Sequence, residues 1–173
     1  DYQGPAFVRY PRGEGIGATV KEIPESIPIG ESKRITEGLE IDIWALGTML
    51  ELGHKLADKL REHNIHAGVI NPRFVKPIDS KAIKASAEKV KLIVSIEDNV
   101  VKGGFGSAIS ELLQEEKISC VVESIGWPDE FVDHASSVND LRKSQGLDLQ
   151  SIVTKVLTAW EKADSGSARV EIN

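Results

Sequence analysis

The chain is predicted to adopt an α/β fold, a three-layer α/β/α arrangement around a mostly parallel sheet of about five strands. Three observations carry this. An apolar run, Ile41-Asp42-Ile43-Trp44-Ala45-Leu46, leads through Gly47-Thr48 into a helical pattern, and the same strand, turn and helix order returns near 67–88 and again near 91–115. Branched and aromatic residues in such a run suit a strand covered on both faces. Strands that alternate with helices favour a parallel sheet over a bundle or a sandwich.

Residues 4–10 read as a short strand entered through Gly4-Pro5, and 11–17 as a loop with much backbone freedom. Pro24 and Pro28 break any long element before a strand at 32–36, which Gly30 and Gly38 bound. Residues 1–28 are therefore assigned to the end of a preceding structure plus a linker, 29–162 to the domain proper and 163–173 to a disordered tail. In the first unit Gly47-Thr48 suits a sharp turn with a helix N-cap, and Met49, Leu52, Leu56 and Leu60 share one apolar face. The second strand is expected at 67–70, followed by a loop stiffened by Pro72 and Pro77 and a helix capped by Asp79 or Ser80. A third strand at 91–96 ends in Glu97-Asp98, and a helix follows at 108–115. Residues 118–123, with Cys120, read as a fourth, buried strand, and 124–132 as a loop. Helices at 138–144 and 149–160 close the domain, with Gly146 as a stop and Asp148 as a cap.

At 173 residues the chain can bury one core with flanking segments. A net charge of −6 opposes binding to nucleic acid phosphates, and no apolar run approaches the ~20 residues that a membrane span requires. Cys120 is the single cysteine, so no intramolecular disulfide and no thiolate cluster can form; a reducing, cytoplasmic setting is expected. The chain opens at Asp1 without an initiator Met or a charged-then-apolar leader, which fits a fragment carrying no secretory signal.

Few residues look equipped for chemistry. Arg12 beside Gly13 can present a planar guanidinium to a phosphate or carboxylate, or form a structural ion pair; Arg9 is a structural candidate. Glu97 and Asp98 could hold a metal or share a proton, but neighbours on an extended chain point opposite ways. Gly103-Gly104-Phe105-Gly106 before a helix invites an anion, yet lacks the spacing of a dinucleotide fingerprint and the Lys-Ser/Thr of a P-loop, so a packing turn is the better reading. Cys120 reads as an inert buried thiol. His54, His63, His66 and His134 are given no role. Trp127 and Phe131 pack over the sheet edge or meet a partner chain.

The motifs Arg9-Tyr10-Pro11-Arg12-Gly13, Ala45-Leu46-Gly47-Thr48, Asn71-Pro72-Arg73-Phe74-Val75-Lys76-Pro77-Ile78-Asp79, Glu97-Asp98-Asn99 with Gly103-Gly104-Phe105-Gly106-Ser107, and Gly126-Trp127-Pro128-Asp129 occur in one order. Together they make the chain resemble the C-terminal part of the 1-deoxy-D-xylulose-5-phosphate synthases, thiamine-diphosphate enzymes of the transketolase family. The resemblance implies a transferase that decarboxylates pyruvate and joins the two-carbon fragment to glyceraldehyde 3-phosphate in the isoprenoid precursor pathway. It implies thiamine diphosphate and Mg²⁺ in the full-length enzyme and none in this chain, since the acidic Gly-Asp-Gly motif is absent. It places residues 4–13 at the end of the pyrimidine-binding domain, and it matches Arg12 to the arginine that contacts the acceptor's phosphate. No catalytic, cofactor or metal residue is assigned. A homodimer joined to the remaining domains of the same enzyme is expected, inactive as this fragment alone. A stand-alone assembly or regulatory module, or the C-terminal part of a transketolase or of a 2-oxoacid dehydrogenase β subunit, are the alternatives.

Overall fold

Strand β2 (Ile41–Ala45) is buried along its whole length at the centre of a five-stranded sheet. The computed structural model describes residues 2–10, 22–23, 25–132 and 137–166. The spatial order is β1 (Lys33–Thr36), β3 (Ala67–Asn71), β2, β4 (Leu92–Val100) and β5 (Val121–Trp127). All neighbours run parallel except β1, which lies antiparallel on β3 at the edge.

The alternation of β2 explains the three layers. Ile41, Ile43 and Ala45 lie opposite Leu92, Val94 and Ile96 and share a core with Leu56 and Leu60 of α1 (Leu50–Arg61) and Ile152 and Val156 of α5 (Leu149–Asp164). Trp44 belongs to the other face, with Ile83 of α2 (Ser80–Lys89) and Phe105 and Ile109 of α3 (Phe105–Glu115). Each fully buried Ile or Leu contributes about 1.5–3 kcal/mol. The short helix α4 (Val138–Ser144) buries no residue. Two of the three expected caps form: Asp79 accepts from the Ala82 N–H at 3.0 Å, and Asp148 from the N–H groups of Gln150 and Ser151 at 3.1 and 3.2 Å.

The structure differs from expectation at the ends of elements. Residues 4–10 form no strand and are exposed; no strand among the described residues pairs with them. The Gly47-Thr48 turn is sharp, with Gly47 at φ +60°, but α1 has no side-chain cap; a 3-10 turn at Gly47–Met49 leads into it. Strand β4 continues through Glu97 and Asp98 to Val100, since β5 pairs with it as far as Trp127. Cys120 consequently lies one residue before β5, while Trp127 lies within it. Helix α3 opens at Phe105, three residues earlier than predicted, and α5 continues to Asp164.

Candidate functional site

Strand β2 connects through α1 to β3 on one side, and β4 through α3 to β5 on the other. The order reverses between β2 and β4, so their carboxyl ends flank the position where open α/β sheets bind ligands. In this chain that position is closed. The Leu46 N–H donates to the Ile96 carbonyl at 2.8 Å, and the cavity behind it, between Met49, Ile96, Arg142 and Leu147, measures about 10 Å³, room for one water molecule at most.

Glu97 and Asp98 leave β4 in opposite directions, as an extended backbone demands. The buried Glu97 turns to the start of α3, where its carboxylate accepts the N–H groups of Phe105 and Gly106 at 2.9 and 3.0 Å. A helix N-terminus with free N–H groups attracts anions, and here the anion is the chain's own side chain. The glycines follow from the same packing. A Cβ at Gly104 would collide with the Glu97 carboxylate and the Val100 carbonyl, and one at Gly106 with the hydroxyls of Ser95 and Ser124. The motif 103–106 is therefore a packing turn.

Asp98 faces outward. It accepts the Trp127 indole N–H at 2.7 Å and a guanidinium N–H of Arg142 at 3.0 Å, tying the ends of β4 and β5 to α4. Next to this rim Lys102 pairs with Asp129 at 3.2 Å, and Phe131 is fully exposed.

A second polar cluster lies inside the sheet. Asp42 is fully buried and receives Arg34 through two hydrogen bonds of 2.8 and 2.7 Å; the Ser86 hydroxyl of α2 donates to the same carboxylate and accepts the Trp44 indole N–H at 3.2 Å. Hydrogen bonding to Asp42 raises the pKa of Arg34 further, against the opposing effect of burial. Arg34 lies on β1 and Asp42 on β2, with β3 between them. Gly68 opens the passage, for a Cβ there would come within 2.5 Å of Asp42 Oδ1 and 2.9 Å of Arg34 Nη1. The cluster was missed in the sequence, although a carboxylate inside an apolar strand and a glycine inside the next one were its visible signals.

The other expected residues stay apart. Arg12 and His134 lie outside the described residues; Arg9 is exposed. His63 and His66 are exposed beyond the end of α1, with His66 Nδ1 3.6 Å from Glu40. Burial pushes the Cys120 thiol up to about 11, which leaves it protonated and inert at neutral pH.

Residues 30–152 match the family described as the C-terminal domain of transketolase. The chain belongs to this family. A 1-deoxy-D-xylulose-5-phosphate synthase of Methylacidiphilum infernorum is 47% identical to it over 156 residues, 90% of this chain and 25% of that protein. A synthase of the same name from Heliobacterium modesticaldum is 42% identical over 172 residues, 99% of this chain and 26% of that one. The transketolase C-terminal domain described here thus spans about a quarter of the length of these relatives. Among solved structures, a split-gene transketolase described as an inactive β4 tetramer superposes with a TM-score of 0.72 at 31% identity, over 78% of this chain and 44% of that one. A transketolase of Campylobacter jejuni shares the fold, with a TM-score of 0.55 at 16% identity over 75% of this chain and 18% of that one.

Among the described residues no three His, Cys, Asp or Glu side chains converge as metal ligands, and the glycine-led start of α3 is filled by Glu97. Nor is any described helix long and apolar enough to cross a membrane.

Proposed function

We propose that this chain is the C-terminal domain of a 1-deoxy-D-xylulose-5-phosphate synthase, which condenses pyruvate with glyceraldehyde 3-phosphate and releases CO2. The observation that carries the reading is identity of 42–47% to synthases of that name across 90–99% of the chain. In this reading thiamine diphosphate and Mg²⁺ are held by the other domains of a cytoplasmic homodimer. The domain supports assembly and carries out no bond-making step itself. Arg12 lends its guanidinium to the phosphate of the acceptor, where two parallel N–H donors match two phosphate oxygens. The description of the split-gene transketolase chain as an inactive β4 tetramer supports self-association without turnover for chains of this type.

The test is turnover of pyruvate and glyceraldehyde 3-phosphate with thiamine diphosphate and Mg²⁺. The full-length polypeptide should form product and the 173-residue chain none; product from the short chain would sink the reading. In the full-length enzyme, Arg12→Ala should lower kcat/KM for the phosphorylated acceptor by about 10–100-fold, the loss expected for one charge-assisted contact.

A second reading, a separately encoded subunit, is favoured by the split-gene origin of the superposed transketolase chain. Intact mass in the source cells separates the two, since a free subunit would register near 18.9 kDa.

A further inference from the structure

The two edges of the sheet are fastened in different ways. At one edge β5 is held by apolar side chains: Ile125 is buried in one core, and Val121 and Val122 pack against the two cores on either face. At the other edge β1 buries no side chain; Lys33, Ile35 and Thr36 are exposed and Arg34 is half-buried. The hydrophobic effect, which seats the other strands, therefore does little for β1. Its ladder with β3 is short, with a register shift between Arg34 and Thr36.

What holds β1 is a row of polar contacts along it. The Ser32 N–H and hydroxyl both donate to Asp79 Oδ2 at 2.8 Å. Arg34 reaches Asp42 through the gap at Gly68. The Thr36 hydroxyl accepts the Val69 N–H at 3.0 Å, and Glu37 accepts from Lys89 at 2.7 Å. Water can take over the exposed contacts once the strand lifts. The Arg34–Asp42 pair is the exception, because the Asp42 carboxylate lies inside the sheet.

The row ends at a glycine on each side. Gly30 holds φ at +78°, and a Cβ at Gly38 would run into the backbone of Gly68. Just beyond Gly38 the chain is fixed again, where the Leu39 and Glu40 N–H groups donate to the His66 carbonyl at 2.9 and 3.3 Å. Glycines at both ends can absorb the large φ/ψ change of a hinge.

We propose that residues 31–37 form a releasable strap, hinged at Gly30 and Gly38 and latched by Arg34 on Asp42, which lifts from β3 as a unit while the other four strands stay folded. Lifting transfers little apolar surface to water, since Ile35 is the only apolar side chain of the strap and is already exposed. It uncovers the outer edge of β3 and the gap at Gly68 above Asp42. The closed form is the ground state, because opening leaves Asp42 inside the sheet without its cation.

Hydrogen exchange of the 173-residue chain in rising, sub-denaturing urea tests the strap. The protected amides of residues 33–36 should exchange at least about tenfold faster than those of Ile43 and Val94, at a rate that barely rises with urea, because the opening exposes little surface. Two variants separate opening of the strap from unfolding of the domain. Ile152→Val, in the core beneath α5, should speed exchange at Ile43 and Val94 by about 2–10-fold and leave residues 33–36 as in the wild type, since the core stays packed while the strap is open. Ser32→Ala should speed exchange at residues 33–36 by about fivefold. Equal rates and equal urea dependence at residues 33–36 and at the core strands would overturn the proposal. So would acceleration at residues 33–36 by Ile152→Val, or no response there to Ser32→Ala. Exchange at residues 33–36 as fast as in an unstructured peptide would overturn it as well, since an unprotected segment is not latched.

Discussion

The molecule builds the same trio of side chains twice, once inside the sheet and once at its rim. Asp42 joins Arg34 and, through Ser86, Trp44; Asp98 joins Arg142 and Trp127. The carboxylate is 0% exposed in the first and 43% exposed in the second. The difference teaches what burial does to a polar contact. In the interior no water replaces a lost partner, so the trio must be complete; at the rim water stands in for any member.

The largest effect that can break this comparison is expected from Asp42→Asn, which takes from Arg34 its buried counterion and leaves only the exposed Glu37, 3.8 Å away. Urea unfolding should show a loss of about 3–5 kcal/mol. The double variant Asp42→Leu with Arg34→Met should recover most of it, because no charge is then left unpaired. A loss under about 1 kcal/mol for the single change would put the two trios on a par and remove burial as the distinction.

Glu97→Ala should follow, with a loss of about 1–3 kcal/mol as two buried N–H groups lose their acceptor. The variant should also gain an anion response absent from the wild type. Its thermal midpoint should rise in sulfate relative to chloride at equal ionic strength, as the vacated start of α3 takes up the anion. No difference between the two salts would mean that the site collapses on truncation.

Asp79→Ala should cost about 1 kcal/mol for its cap on α2, and the size should depend on pH. Burial alone would raise the pKa of Asp79, but hydrogen bonds from the Ser32 and Ala82 N–H groups and the Ser32 hydroxyl together hold it below the ordinary 3.8. A carboxyl with a depressed folded pKa stabilises fully above its unfolded pKa and loses that contribution as pH falls through the folded value. Wild type and variant should therefore converge below about pH 4 in acid titrations of stability. A constant gap would show that the charge plays no part in the cap.

The smallest change is expected from Asp98→Asn. Its contacts with Arg142 and Trp127 lie at a wet rim, so denaturant unfolding should register about 0–1 kcal/mol, and less as salt is added. A larger loss would show that α4 depends on this one contact.

Strand β2, both faces of its helices and the caps at Asp79 and Asp148 were legible in the chain because each is a local pattern: period, bulk, or a short polar side chain at a fixed offset. The reading of 103–106 as a packing turn was sound for a reason the sequence did not contain, namely that Glu97 fills it. Cys120 and Trp127 were displaced because the length of a strand depends on its neighbour, and β5 pairs with β4 as far as Trp127. The strand expected at 4–10 had the right composition, and no strand among the described residues pairs with it.

The amino-acid sequence by itself determined the layered α/β class, the order of its elements and the motifs shared with the synthases, since periodicity and motif order are properties of the chain. Only the tertiary structure decided which carboxylate meets which cation. Arg34 reaches Asp42 across β3 because a crossover connection puts β3 between β1 and β2 and Gly68 leaves the gap. Proximity between residues distant in sequence is fixed by the path of the backbone, and that path is settled by packing the whole core at once.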